Sequence, residues 1–226
     1  MKSFSYFAAA VGLSAIVQCA HAQSAPMPVF KEGDFWEYQL FDSWSNRMTS
    51  TFSRQVIGIS GDFIRVSYDV REIAKTGEVG RPQQNEATLR ADLNATSMSG
   101  SEKYEKLYYK WPLEPGKKWI SQFKGDIAPA TANAAPQVIT TTLNVEVKGW
   151  EKLSTPAGEF NALKIVAKGN WTVSNSTLAN GSGTFTATRW YSPDAKSDVQ
   201  YNYEAYGADG APLTKTRQVL SNVNFK

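Results

Sequence analysis

Apolar and polar side chains alternate along most of this chain, and a period of two is typical of β-strands. In the segment that begins at Phe63, the side chains of Ile64, Val66, Tyr68 and Val70 share one face, with polar side chains between them. After residue 22, no apolar stripe with a period of 3.6 residues is long enough to predict a helix. The alternation predicts about ten strands, in residues 34–40, 52–59, 63–73, 88–98, 104–111, 117–123, 138–150, 160–173, 184–191, 199–206 and 213–225.

Short turn sequences separate these strands and indicate antiparallel hairpins. Ser60-Gly61-Asp62 and Asp209-Gly210 are hairpin turn signals. Glu114-Pro115-Gly116 places Pro and Gly at the two central positions of a type II turn, and Thr155-Pro156-Ala157-Gly158 has the Pro and Gly positions of a type I turn.

Several predicted strands have ten or more residues, and long antiparallel strands in one sheet twist and curl. We therefore predict an all-β fold, with a single large curved antiparallel sheet that forms an open or half barrel of about ten strands. Residues 128–136 are rich in Ala, Pro and Thr and predict a mobile loop. The composition is similar on both sides of this loop, so we predict one domain over residues 23–226.

The first 22 residues have the pattern of a signal peptide. Lys2 precedes an apolar stretch over residues 4–17 that is too short to span a bilayer, and Ala20-His21-Ala22 is a cleavage sequence. The alternatives are an uncleaved anchor or a lipid on Cys19, although Gln18 does not fit a lipobox. We predict cleavage after Ala22 and a periplasmic or secreted protein.

Cleavage would remove the groups on which most enzymes and metal sites depend. Cys19 and His21 are the only Cys and the only His of the chain. Without them, Ser-His and Cys-His pairs, disulfides and the usual ligand sets for zinc, copper or iron are impossible. We therefore predict no catalytic residue, no metal and no cofactor.

Three chemistries do not need His or Cys, and we consider them less favoured alternatives. A Ser-Lys hydrolase would have to use Ser101 or Ser121, and along a strand residues i and i+3 face opposite sides. A glycan hydrolase needs two carboxylates across a cleft, and candidates on strands are Glu37, Glu146, Glu159 and Glu204. Calcium could bind the oxygen-rich turn that contains Ser192, Asp194, Ser197 and Asp198.

The charge pattern argues against two classes of partner. The 24 Lys and Arg residues nearly balance the 21 Asp and Glu residues, and no basic run exceeds two residues. Nucleic-acid binding needs clustered basic residues, so we predict none. After the signal peptide no apolar segment reaches 18 residues, so we predict no transmembrane segment in the mature chain.

Aromatic residues supply the candidates for a binding site. All seven Trp residues lie after residue 22. Aromatic rings can line a lipid pocket or stack on sugars, although core packing is the favoured interpretation for any single Trp. As the lining of a cup we predict Trp36, Tyr38, Trp190 and Tyr191, and at its rim Trp44.

Three motifs together resemble a family of exported bacterial β-rich proteins of unknown function. They are Pro112-Leu113-Glu114-Pro115-Gly116-Lys117-Lys118-Trp119, the hairpin sequence over residues 155–165, and Trp190-Tyr191-Ser192-Pro193. The resemblance covers about residue 34 to the C-terminus. It implies a half-barrel similar to periplasmic lipoprotein carriers, and it implies no catalytic residues.

From these features we predict a non-enzymatic binding or carrier-like protein for an apolar or amphiphilic ligand, such as a lipid or a lipoprotein segment. One alternative is a structural or interaction module of the cell envelope that recruits an envelope protein through an exposed sheet edge. A lesser alternative is the carboxylate-dependent glycan hydrolase described above.

Overall fold

The computed structural model describes residues 24–99, 102–127, 137–174 and 181–226, which form twelve strands and no helix. The predicted signal peptide and the predicted loop at 128–136 lie outside these residues. Within the described ranges, accordingly, no helix has the length and apolarity needed to cross a bilayer. The strands are β1 (Phe35–Asp42), β2 (Arg47–Ser60), β3 (Phe63–Glu72), β4 (Gln83–Arg90), β5 (Ala95–Ser99), β6 (Glu102–Lys106), β7 (Lys118–Ile127), β8 (Gln137–Thr155), β9 (Gly158–Val173), β10 (Ser182–Ser192), β11 (Ser197–Gly207) and β12 (Pro212–Asn224).

Ten strands form one antiparallel sheet in the order β4-β3-β2-β1-β12-β11-β10-β9-β8-β7. Within β1 to β4 and within β7 to β12, strands that follow one another in sequence are neighbours, and β1 pairs with β12 to join the two groups. The sheet keeps two edges, β4 and β7, and β5 and β6 form a separate hairpin between them in sequence. The prediction of an all-β fold with one large, open antiparallel sheet is confirmed.

Two predicted strands are shorter than the alternation suggested. The strand predicted over 88–98 divides into β4 and β5, because the chain turns at Leu93, which has a φ of 62°. The strand predicted over 104–111 ends at Lys106. After Lys106, side chains rather than a neighbouring strand satisfy parts of the backbone: the Leu107 N–H donates to Ser121 Oγ at 2.9 Å. Both predictions were wrong at these points.

The apolar face of the sheet buries two clusters of side chains. One lies on β7 to β10, where β8, β9 and β10 each contribute alternate residues, and the other lies mainly on β1 to β3 and β12. Fully buried side chains of this kind each contribute roughly 1.5–3 kcal/mol relative to an exposed position. Examples are Leu143, Val147, Leu163 and Ile165 in the first cluster and Val56, Ile64, Val66 and Leu220 in the second.

Residues 107–113, between β6 and β7, cross the apolar face of the sheet, and we call them the inner segment. Its Leu113 is fully buried and exchanges two backbone hydrogen bonds with Ala25, at 2.8 and 2.9 Å. Tyr109, also in the inner segment, is buried against β10 and β11. The inner segment therefore fills part of the hollow of the curved sheet.

The β5–β6 hairpin and the start of the inner segment connect the two edges of the sheet. Arg90, at the end of β4, donates to Glu105 on β6 at 2.8 Å. On the other side, Trp119 of β7 donates its Nε1–H to the carbonyl of Leu107 at 2.9 Å. These contacts limit how far β4 and β7 can separate.

Candidate functional site

A cavity of about 320 Å³ lies on the apolar face of the sheet, beside the inner segment, and we call it the inner cavity. Residues from both halves of the sheet reach it because β1 and β12 join the halves at its centre. The lining combines four aromatic rings and one Leu with two Arg and one Asp. Its residues are Tyr38, Phe52, Arg54, Tyr68, Leu93, Tyr109, Arg189, Ser197, Asp198 and Gln218.

One wall of the inner cavity is aromatic. Tyr38 and Phe52 lie directly opposite each other on β1 and β2, and their rings stack with centroids 4.9 Å apart. Tyr38 is almost fully buried, whereas Phe52 and Tyr68 are half-buried and leave ring surface exposed towards the cavity. Burial raises the pKa of Tyr38, so its hydroxyl stays protonated near neutral pH. This wall can take up apolar groups.

The floor of the inner cavity is a buried polar cluster around Asp198. Arg189 Nη1 donates to Asp198 Oδ2 at 2.6 Å, and the Tyr109 hydroxyl lies 2.8 Å from both carboxylate oxygens. Burial and the charge of Asp198 raise the pKa of Tyr109 well above its usual value, so the phenol donates its proton. The Arg189 guanidinium lies between the rings of Tyr108 and Tyr201, at 4.3 and 4.2 Å from their centroids.

Arg54 lies on the opposite side of the inner cavity, on β2. Its guanidinium covers the Trp36 ring at 4.6 Å from the centroid, and Nη2 donates to Ser197 Oγ at 3.1 Å. Its Nε is buried without a hydrogen-bond partner. Arg54 was not among the predicted site residues, but its position between Phe52 and Val56 on an apolar face is a signal that could have identified it.

The turn between β4 and β5 fixes the position of Tyr109. The Asn94 side chain accepts from the Tyr109 N–H and donates to the Tyr109 carbonyl, both at 2.9 Å, as a neighbouring strand would. Asp92 holds this turn through hydrogen bonds to Arg90 at 2.6 Å and to the Asn94 backbone at 3.0 Å. We call Arg90, Asp92 and Asn94 the turn cluster; it supports the floor of the cavity from outside.

The turn cluster makes a pH-dependent contribution to stability. Burial raises the pKa of Asp92, but hydrogen bonds from Arg90 and Asn94 outweigh this effect and leave the pKa below its usual value. The ionised carboxylate therefore stabilises the fold above the unfolded-state pKa of about 4, and this contribution is lost as the pH falls through the lower, folded-state pKa.

We expect Asp92→Asn to lower the free energy of unfolding near neutral pH and to lower it less in acid. Urea unfolding of both proteins at about pH 7 and about pH 3 measures the two differences. A difference that stays the same at both pH values would contradict the ionic role of Asp92.

Of the predicted lining residues, the structure places Tyr38 in the inner cavity and Trp36 behind it. Trp36 is fully buried, packs edge-on against Phe30 and Phe225 at 5.7 Å each, and donates its Nε1–H to the Ala195 carbonyl at 2.7 Å. The Arg54 guanidinium therefore lies between the Trp36 ring and the cavity. Whether either aromatic residue contacts a ligand stays a prediction.

The other three predicted residues lie apart from one another. Trp190 projects from the face of β10 opposite to Arg189, and its Nε1–H donates to Glu151 at 2.7 Å. Tyr191 is buried, with its ring 5.0 Å from that of Trp111. Trp44 is 57% exposed, in the turn between β1 and β2. Their roles in binding also stay predictions.

The candidate residues for the alternative chemistries have other partners. Hydrogen bonds from Lys148 and Lys215 lower the pKa of Glu146 and of Glu204, whereas a glycosidase acid needs a raised pKa. Asp198 is engaged in the cavity floor, and the Ser192 hydroxyl donates to the Asn161 carbonyl at 3.0 Å.

No protein-family model matches the chain, and no curated protein matches it. A crystal structure of a proposed lipoprotein from Parabacteroides distasonis aligns with 89% of this chain and 100% of its own, at 17% identity and a TM-score of 0.46. A second, of a proposed exported protein with a YmcC-like fold from Bacteroides fragilis, aligns with 88% of this chain and 99% of its own, at 13% identity and a TM-score of 0.47. These similarities are too low to support an inference about function.

Proposed function

We propose that the protein is a non-enzymatic binding or carrier-like protein, and that the inner cavity holds an apolar or amphiphilic ligand such as a lipid or a lipoprotein segment. The observation that carries the proposal is the partly exposed aromatic wall of this cavity, formed by Phe52 and Tyr68 opposite a floor in which Arg189 and Asp198 form an ion pair. Aromatic rings that face a concave pocket beside a few polar groups are typical of the lining of a ligand site.

The size and lining of the inner cavity support a small apolar group. Its volume of about 320 Å³ is near the lower end of the range of ligand pockets. Phe52, Tyr68 and Leu93 retain apolar surface that a ligand would remove from water, which is the main favourable term in binding an apolar group. Gln218, on the wall formed by β12, completes the enclosure.

The polar groups of the inner cavity support binding rather than catalysis. Tyr38 and Tyr109 both have raised pKa values, so neither phenol can accept a proton near neutral pH. Asp198 is already bound by Arg189 and Tyr109. Together with the predicted loss of Cys19 and His21, this arrangement offers no activated nucleophile. The predicted signal peptide supports a periplasmic or secreted location.

Filling the inner cavity tests the proposal. We expect Gln218→Trp to weaken binding of the neutral apolar dye N-phenyl-1-naphthylamine about tenfold or more, because the indole occupies the space that the dye needs. Fluorescence titration of the purified protein measures the affinity. Gln200→Trp is the matched control, because Gln200 lies on the outer face of the neighbouring strand. Absence of dye binding, or equal binding by both variants, would contradict the proposal.

A further inference from the structure

The charges of the inner cavity do not balance. Its lining contains two guanidinium groups, Arg54 and Arg189, and one carboxylate, Asp198. A charge that is largely removed from water is unfavourable when it has no counter-charge. The two arginines therefore need to be considered separately.

Arg189 is compensated within the protein. It forms a 2.6 Å ion pair with Asp198, and its guanidinium lies between two tyrosine rings. Both carboxylate oxygens of Asp198 also lie within hydrogen-bond distance of the Tyr109 hydroxyl. Arg189 and Asp198 thus form a neutral pair, which leaves the cavity with the single positive charge of Arg54.

Arg54 has no anionic partner among the residues that the structure describes. Its interactions there are the hydrogen bond to the Ser197 hydroxyl and the contact with the Trp36 ring, neither of which carries a negative charge. These two contacts orient the guanidinium; its Nε is buried and unpaired, as is the Nε of Arg189, but only Arg189 has an anionic partner. Because a guanidinium offers five donors in a planar fork, most of its hydrogen-bonding capacity is unused.

A purely structural role would account for only part of this arrangement. The guanidinium covers Trp36, yet a methionine could cover the ring without bringing an uncompensated charge into the cavity. A planar, permanently charged fork is well suited to a carboxylate or a phosphate. The same cavity also presents the apolar surfaces of Phe52, Tyr68 and Leu93.

We infer that the ligand of the inner cavity is a single-chain amphiphile with an anionic head group, a carboxylate or a phosphate, that binds Arg54. The chain of the ligand then lies against the aromatic wall. This inference rests on the proposed function, because it requires that the inner cavity binds a ligand.

Competition between simple probes tests the head group. Decanoate, decyl phosphate, decanol and inorganic phosphate are each titrated against the bound dye. We expect decanoate or decyl phosphate to displace the dye at concentrations about tenfold or more below the concentration of decanol that is needed. We expect inorganic phosphate alone not to displace it. A preference for one of the two anionic amphiphiles supports the inference and identifies the head group. Equal potency of decanol and both anions would overturn it, as would displacement by inorganic phosphate alone.

Substitution of Arg54 tests the residue. We expect Arg54→Met to weaken the binding of the anionic amphiphiles about tenfold or more and to leave the binding of decanol unchanged. We expect Arg54→Lys to retain part of the preference for the anionic amphiphiles. Arg217→Met is the matched control, since Arg217 covers Phe41 at 4.7 Å on the outer face. An equal effect of Arg54→Met on all probes, or no effect, would overturn the inference. Failure of every probe to bind the wild-type protein would instead contradict the proposed function itself.

Discussion

Replacing Asp198 with asparagine is expected to lower the free energy of unfolding by about 3 kcal/mol, because it leaves the Arg189 guanidinium in the cavity floor without its counter-charge. Asp198 is 6% exposed and its ion pair with Arg189 is 2.6 Å long. Removal of one member of a buried pair leaves the desolvation penalty of the other uncompensated. Tyr109 also loses a charged acceptor for its hydroxyl.

Urea unfolding measures this effect, and two further variants show its origin. Asp198→Asn combined with Arg189→Met removes both charges and is expected to recover about 1 kcal/mol or more relative to the single variant. Asp194→Asn changes an exposed carboxylate in the preceding turn and is expected to stay within about 0.5 kcal/mol of wild type. An Asp198→Asn protein as stable as wild type would show that the pair does not hold the floor.

Replacing Trp36 with alanine is expected to lower the free energy of unfolding by about 3–5 kcal/mol. The ring is fully buried, packs against Phe30 and Phe225, and satisfies the carbonyl of Ala195. Its loss leaves a void and an unpaired acceptor, and it removes the surface on which Arg54 rests. The segment before β1, the end of the chain after β12 and the turn before β11 would lose a common contact.

Trp44→Ala is the matched control for this experiment, since the same atoms are removed from a side chain that is 57% exposed. We expect a change within about 0.5 kcal/mol. Denaturant unfolding followed by circular dichroism compares the two variants without depending on tryptophan fluorescence. A loss of less than about 1 kcal/mol for Trp36→Ala would mean that the site collapses around the smaller side chain.

The sequence predicted the architecture well because local rules determine most of it. Alternation identified the strands of the main sheet, and turn residues identified the hairpins that place them side by side. At Gly116 the expected type II turn is present, with a φ of 86° and a hydrogen bond from the Lys117 N–H to the Glu114 carbonyl. Such features depend on a few neighbouring residues and are visible in a single sequence.

The candidate site was harder to predict because it depends on departures from alternation. By simple alternation, Asp198 would share the outer face of β11 with Gln200 and Asn202, which lie two and four residues further along the strand. A β-bulge opposite Trp190 and Tyr191 leaves Val199 without a partner and turns Asp198 towards the inner face. Without this bulge, Asp198 would lie on the outer face, and nothing in the sequence marks the extra residue.

The inner segment illustrates a second limit. Its alternating residues resemble a strand, yet Tyr109 is held by the side chain of Asn94 and not by a neighbouring strand. Only the three-dimensional arrangement shows that residues 15 positions apart form this contact. Conversely, Trp36 and Trp190 were predicted as ligand-contacting residues from aromatic richness alone. Both rings are packed against other side chains, and their indole N–H groups donate to the Ala195 carbonyl and to Glu151.

The position of β12 has a consequence for folding. Because β12 pairs with β1 on one side and with β11 on the other, the strands before the inner segment and those after it cannot join into one sheet until β12 is in place. Contacts between such distant positions form slowly. A polypeptide truncated before Pro212 would present unpaired hydrogen-bonding groups on β1 and β11, and each could template association with another molecule.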